Sequence, residues 1–269
     1  MKKLISGLLV CAMLFSFAAC GGADGNVGKI DADVVMPGDD YVLYKETATI
    51  TGVVRLHEYN DKGHVTKISH IQPDGSFEDE IYDYTYNADG SYSFFKTGWG
   101  TEYIEKFDNK GRLVERINDP DSSRQKSLTY VYNDDNTVNY EKRDADGYIE
   151  MLEKMYYDEN GLLVKTEHFR SDGLLLAYTE YSYDEYGNET THIQYTPEGE
   201  KNSNNATYVW TQEYDEYGRL VKVEKRDTAI GGLYHEETHI YDDEARTYTE
   251  TSETGKYVRE YRPLSECIK

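Results

Sequence analysis

The chain has 269 residues, 38% hydrophobic, 30% charged and 13% aromatic, with 27 Tyr against 7 Phe and 2 Trp. That aromatic content excludes an intrinsically disordered chain, and so much Tyr favours half-exposed sheet faces over a thick, dry core. A formal charge of −22 repels phosphate backbones, which excludes nucleic acid as a partner; it keeps the chain solvated and favours cations or basic partners.

The N-terminus reads as an export signal. "MKK" is a short basic region, and residues 4–19, "LISGLLVCAMLFSFAA", form an apolar stretch too short and interrupted for a membrane span. It ends in "FAAC", Phe17 to Cys20, followed by "GG". Small residues ahead of a single Cys at this place resemble the lipobox of bacterial lipoproteins. The resemblance implies a signal peptide over 1–19, cleavage before Cys20, and diacylglycerol on its sulfur, with palmitate-type chains holding the protein at a membrane. An ordinary secretory signal with a Cys at the cut site is the alternative. Residues 21–40 are Gly- and Asp-rich and read, with Cys20, as a lipidated flexible tether. Cys11 leaves with the signal, so Cys267 stands without a partner and no disulfide framework is expected. The expected location is the bacterial cell envelope, facing outside the cytoplasm.

From residue 41 to 269 one word recurs: aromatic, Asp or Asn, two variable residues, Gly. Copies begin at Tyr59, Tyr86, Phe107, Tyr132, Tyr157, Tyr183, Tyr214 and Tyr241, at a mean interval of 26 residues. Asn136 replaces Gly in the fourth copy and Ala245 in the eighth. A second set of turn signals falls half a period later: "PDG" at 73–75, "DPDS" at 119–122, "DADG" at 144–147, "SDG" at 171–173, "PEG" at 197–199 and "IGG" at 230–232. The chain therefore reverses every 11–14 residues between alternating runs such as "LVKVEKR", the pattern of strands joined by hairpins. In each word the Asp or Asn starts the reversal and Gly supplies the positive φ of a bulged hairpin. The aromatic ends one strand, and an aliphatic two past Gly (Val65, Leu113, Leu163, Leu220) opens the next, so the two should clasp across the hairpin mouth.

"YDEYGRL" and "FDNKGRL" resemble the YD repeat of Rhs and teneurin proteins. The resemblance covers roughly Tyr41 to Arg262 and implies a spiralling β-sheet shell. With about eight repeats and no C-terminal toxin domain, the expectation is an all-β, curled antiparallel meander of about sixteen strands, open rather than closed. A four-bladed propeller is the second architecture, since two periods approach one kelch-type blade.

Few constellations carry chemistry. "HEETH", His235 to His239, has the letters of a zinc metallopeptidase and gives one alternative function, a metal-dependent hydrolase using His235, Glu236 and His239. Its setting between a Gly-Gly turn and a YD turn is a strand, where residues four apart stand about 13 Å apart, too far for one zinc. "DADG" and "NDDN" resemble calcium-loop fragments, but aligning Asp146 and Gly147 with an EF-hand puts Lys142 at the first ligand position, with Glu153 at the last. Weak Ca²⁺ binding by turn carboxylates is the only cofactor expectation. Trp210 and Trp99 could stack sugar rings, or serve cross-strand packing. The expected function is a lipid-anchored, non-enzymatic scaffold or binding surface for a protein or a cell-wall glycan. A passive spacer is the remaining alternative.

Overall fold

A computed structural model describes residues 41–269 apart from 101, 124, 202–207, 216–218, 228–231, 243, 253–254 and 269; the signal and tether expectations, Cys20 included, lie outside the described residues. Eighteen strands follow one another in sequence: β1 (Tyr41–Ala48), β2 (Val53–Tyr59), β3 (Val65–Ile71), β4 (Phe77–Tyr86), β5 (Tyr92–Thr97) and β6 (Tyr103–Phe107). They continue with β7 (Leu113–Asn118), β8 (Lys126–Tyr132), β9 (Thr137–Arg143), β10 (Ile149–Tyr157), β11 (Leu163–Phe169) and β12 (Leu175–Tyr183). The last six are β13 (Glu189–Tyr195), β14 (Tyr208–Tyr214), β15 (Leu220–Asp227), β16 (Gly232–Asp242), β17 (Thr247–Ser252) and β18 (Gly255–Pro263), with a helical turn over Leu264–Cys267.

Each strand pairs antiparallel with the next, and β18 returns to pair with β1 from Tyr41↔Pro263 to Ala48↔Tyr257. The sheet is a closed up-and-down barrel, so the expected open meander is wrong, although the all-β class is right. The propeller is wrong too, because one continuous ladder replaces separate blades. Eight YD words account for sixteen strands. The two that close the ring, β1 and β18, lie outside the words and carry no turn signature between them. Closure is favoured because it pairs both edge strands, which an open array would leave with unpartnered N–H and C=O groups.

The hairpins form as their letters dictate. In the third word the Asp108 carboxylate accepts the N–H of Lys110 at 2.9 Å and of Arg112 at 3.0 Å. Gly111 sits at φ 76°, where a side chain is strained, and its N–H reaches the Asp108 carbonyl at 3.0 Å. Asn136 takes the same conformation at φ 60°, whereas in the eighth word Arg246, not Ala245, does so at φ 54°. The expected clasps are in register across bulges: Tyr59↔Val65, Phe107↔Leu113, Tyr157↔Leu163 and Tyr214↔Leu220.

Neighbouring repeats are tied by the tyrosine hydroxyls. Tyr132 Oη donates to the Leu113 carbonyl at 2.9 Å, Tyr183 to Leu163 at 2.6 Å, and Tyr241 to Leu220 at 2.8 Å. Tyr59 does the same to Leu43 of β1 at 2.7 Å. The Arg of "GRL" completes the joint: Arg112 pairs with Asp108 of its own turn and lays its guanidinium 4.2 Å over Tyr132 of the next repeat. Arg219 repeats this with Asp215 and Tyr241, at 4.4 Å. Arg246 lies 4.6 Å over Tyr41, carrying the same contact across the closure.

Register assigns every side chain to one wall. All eight YD aromatics face inward, and apart from Thr137 and Cys267 so does every fully buried residue. The outer wall alternates Ser, Thr and scattered apolar residues with ion pairs such as Lys67–Glu58 at 2.7 Å, Lys106–Glu115 at 2.6 Å and Lys165–Glu167 at 2.8 Å. The closing strands are locked from inside by Arg259, which bonds Glu46 of β1 and Glu250 of β17, both at 2.8 Å.

Two losses of stability are expected in urea unfolding. Tyr132→Phe removes one inter-repeat hydrogen bond and should cost about 1 kcal/mol. Arg259→Ala leaves Glu250 inside the barrel without this cation, while Glu46 keeps Arg55, and should cost about 3 kcal/mol. If Arg259→Ala cost no more than Tyr132→Phe, the closure would not depend on this pair.

Candidate functional site

The inner wall carries an ionisable belt at mid-height. All six histidines borne on strands point into it. His168 meets Glu153 at 2.8 Å, His192 meets Glu189 at 2.9 Å, His235 meets Glu237 at 2.7 Å, and His70 lies 3.3 Å from Glu80. His239 shares a 2.6 Å hydrogen bond with Tyr248, and both ring nitrogens of His57 are buried without a partner. Lys96, 4% exposed, donates to the carbonyls of Gly98 and Trp99 at 2.8 and 2.6 Å. Glu105 and Arg116 form a buried pair at 3.2 Å.

Burial sets two of these groups far from their usual values. The His57 imidazole is lowered to about 4 by desolvation, with Glu46 pulling the other way and Arg55, His70 and Arg259 adding to the fall. Glu105 is raised to about 7 by desolvation, against the pull of Arg116. His64, His70 and His239 are also lowered by burial.

The sequence-predicted positions fall apart as a catalytic or metal centre. "HEETH" lies on β16; His235 and His239 face inward, while Glu236 faces out and reaches Lys222 at 3.3 Å. The calcium-loop letters are spent on a turn, in which the Asp144 carboxylate accepts the N–H of Asp146 at 3.0 Å and of Tyr148 at 2.9 Å. Lys142 pairs with Glu150 at 3.3 Å, and Glu153 with His168. Among the described residues no group of three His, Cys, Asp or Glu is placed to hold a metal ion. Trp99 is held in a hook: Gly98, Trp99 and Gly100 all have positive φ, at 77°, 35° and 83°. Its ring lies flat on His70, 4.2 Å between centroids and 3° between planes. A Cβ on Gly98 would stand 2.0 Å from the Asp79 carbonyl oxygen, so the hook requires glycine there.

Trp210 is placed differently. It lines an open depression of about 610 Å³ with Asp184, Glu185, Tyr186, Gln212 and Tyr214, where the turn between β12 and β13 meets β14. Tyr186, 51% exposed, packs on Tyr214 at 4.3 Å. The Trp210 ring is backed by His192 at 5.1 Å and by the Lys225 ammonium at 4.8 Å. Here the tyrosine-to-carbonyl joint is diverted, as it also is at Tyr86, whose hydroxyl meets Asn60 at 2.8 Å and His64 at 2.9 Å. Tyr214 does not bond the backbone of the previous repeat; its hydroxyl donates to the Asp184 carboxylate and accepts from Asn188 at 2.6 Å. Gln212 takes over the vacated acceptor, the Glu189 carbonyl, at 2.5 Å. Trp210 was legible as a candidate; Tyr186, Gln212 and Asp184 were not singled out. Their signal was in the spelling: Tyr186 stands fourth in its word, and Glu189 stands where five other repeats open the outgoing strand with Val or Leu and two with Tyr92 and Thr247.

No family model and no curated protein matches the chain. Among solved structures, a porin-like protein from Bacteroides uniformis ATCC 8492 aligns over 83% of this chain and 97% of its own at 12% identity, with a TM-score of 0.43. A TcdB2-TccC3-Cdc42 crystal structure aligns over 77% of this chain and 15% of its own at 13% identity, with a TM-score of 0.23.

The belt predicts opposed pH responses. Between about pH 6.5 and 4 the unfolded chain protonates His57 and the folded barrel does not, so acid destabilises the fold. Glu105 is protonated when folded up to about pH 7 but ionised when unfolded above about 4.5, so over that range rising pH destabilises it. Each proton contributes a slope of about 1.4 kcal/mol per pH unit. In urea unfolding between these limits, His57→Phe should lessen the acid loss by about one such slope and Glu105→Gln should steepen it by about one. Parallel pH profiles for the three proteins would contradict both assignments.

Proposed function

We propose that this is a bacterial lipoprotein built of YD-like repeats: a non-enzymatic barrel, tethered through Cys20 outside the cytoplasm, that binds a cell-wall glycan at the Trp210 depression. The observation that carries the binding half is the broken joint. Where Tyr59, Tyr132, Tyr183 and Tyr241 make the hydroxyl-to-carbonyl bond, Tyr214 is diverted, as Tyr86 also is, but only at the Tyr214 seam does the diverted joint border an open aromatic floor edged by carboxylates among the described residues. Sugars are bound by such surfaces, in which ring faces stack on apolar C–H faces and a few polar groups fix the hydroxyls.

The tethering half rests on the lipobox-like "FAAC" and on the outer wall. Lys67, Lys106, Lys165 and Lys222 stand on that wall within the strands, each with its glutamate. A cation facing lipid at the bilayer midplane costs about 2–4 kcal/mol, and this wall repeats the charge from strand to strand. Such a barrel belongs in water, and its membrane contact is then the acyl chain.

Cys20→Ser should move the protein from the membrane fraction to the soluble one; continued membrane retention would refute the lipid tether. On arrays of cell-wall saccharides, Trp210→Ala should lower retention at least tenfold while circular dichroism still reports a folded β-protein. Unaltered retention would place the glycan elsewhere.

A further inference from the structure

Beyond a glycan in general, and resting on that reading, we propose that the Trp210 depression selects saccharides that carry a free, protonated amino group. Among the described residues that line it, the charge is one-sided. Asp184 and Glu185 both line it, and both are carboxylates. Asp184 accepts the N–H of Tyr186 and of Asn188, both at 2.9 Å, together with the Tyr214 hydroxyl. Glu185 stands exposed on the same turn. The nearby cation, Lys225, is 7% exposed, lies over the indole and does not line the depression. Gln212, the amide on the floor, commits its N–H to the Glu189 carbonyl and so presents an oxygen more readily than a donor.

The polar edge thus accepts hydrogen bonds and carries negative charge, while the Tyr186–Tyr214 stack and Trp210 supply a floor for one sugar ring. An ammonium on that ring gains charge-assisted bonds to Glu185 and Asp184 and is drawn in by a chain of charge −22. An N-acetyl group in its place removes the charge, and a uronic carboxylate reverses it. Tyr186 fixes the seat: held 4.3 Å from Tyr214, it gives a platform that loses little freedom on binding.

The test is calorimetric titration of the full mature chain, at pH 6 and low salt, with a β-1,4-linked glucosamine tetramer and its fully N-acetylated counterpart. The amine form should bind at least tenfold tighter. Glu185→Gln should remove most of that preference while leaving the N-acetylated tetramer unaffected, and Trp210→Ala should weaken both. Added salt should narrow the gap. Equal affinities, or tighter binding of the N-acetylated form, would overturn the amine preference and leave the glycan reading standing. Binding of neither would overturn both. Amine binding that survives Trp210→Ala and Tyr186→Ala would mean diffuse attraction to an acidic surface, and would overturn the site.

Discussion

The structure depends on one bond made at Tyr132, Tyr183 and Tyr241, and at Tyr59 to β1: the hydroxyl of a YD tyrosine reaching back to a backbone carbonyl of the repeat before it. A hairpin of two short strands is marginal in water, and ladder hydrogen bonds alone leave register open to slippage. The hydroxyl fixes register at the hairpin mouth, because only one tyrosine position meets that carbonyl. The remaining letters of Tyr-Asp-x-x-Gly-Arg-Leu serve the same joint. Asp shapes the turn and holds Arg, Arg covers the next tyrosine, Gly permits the bulge, and Leu presents the carbonyl while filling the space below. Residue identity and residue spacing are therefore set by a contact between repeats, not within one.

A series of such joints has two ends, and closure removes them. Tyr41 stands where a further YD aromatic would, under Arg246, and Tyr59 donates to Leu43 as if β1 belonged to a preceding repeat. Once the ring is shut, stability no longer divides into nearest-neighbour terms with a free end from which to unravel. The interior also becomes a place where polar groups must find partners within the wall. Most of the acid–base pairs in the belt join adjacent strands, as with Glu105–Arg116 and Glu153–His168. Each pair therefore reinforces the ladder it spans, at the cost of burying charge. His57, with no partner at either nitrogen, bears that cost without the compensation, and its depressed pKa records it.

Hairpin positions, turn chemistry, the aromatic–aliphatic clasp and the all-β class were legible in the sequence because each is a local consequence of a few adjacent residues. Closure was not, because it concerns Tyr41 and Pro263, separated by the whole array, and no turn word marks a pairing between chain ends. The lumen was half-legible. Once the bulge is placed, residues two, four and six before the YD aromatic face inward, as do those three and five after the strand opener. That parity puts His57, Glu105, Glu153 and Glu237 inside along with Arg116, His168, His192 and Lys225. Without the bulge the count slips by one and the belt scatters over both walls. "HEETH" misleads for a related reason: its letters assume a helical period, and β16 has a period of two, which sends Glu236 away from its histidines.

At the Tyr214 seam the ordinary joint gives way to a polar substitute. To keep the ordinary joint, Tyr214 would bond the Glu189 carbonyl and the turn over 184–188 would remain an ordinary hairpin tip. Instead Tyr214 leans out to Asp184, Tyr186 settles on it, and a side chain two residues away, Gln212, covers the abandoned acceptor. The abandoned acceptor is thereby satisfied, while Tyr186 of the turn stays 51% exposed. Glu189 shows the strain of the arrangement: it occupies the aliphatic opener's place, is 7% exposed, and leaves one carboxylate oxygen without a partner. A carboxylate at this place gives up the apolar packing that Leu113 and Leu220 supply at theirs, so the Tyr214 seam is held by polar contacts where those seams are held by apolar ones.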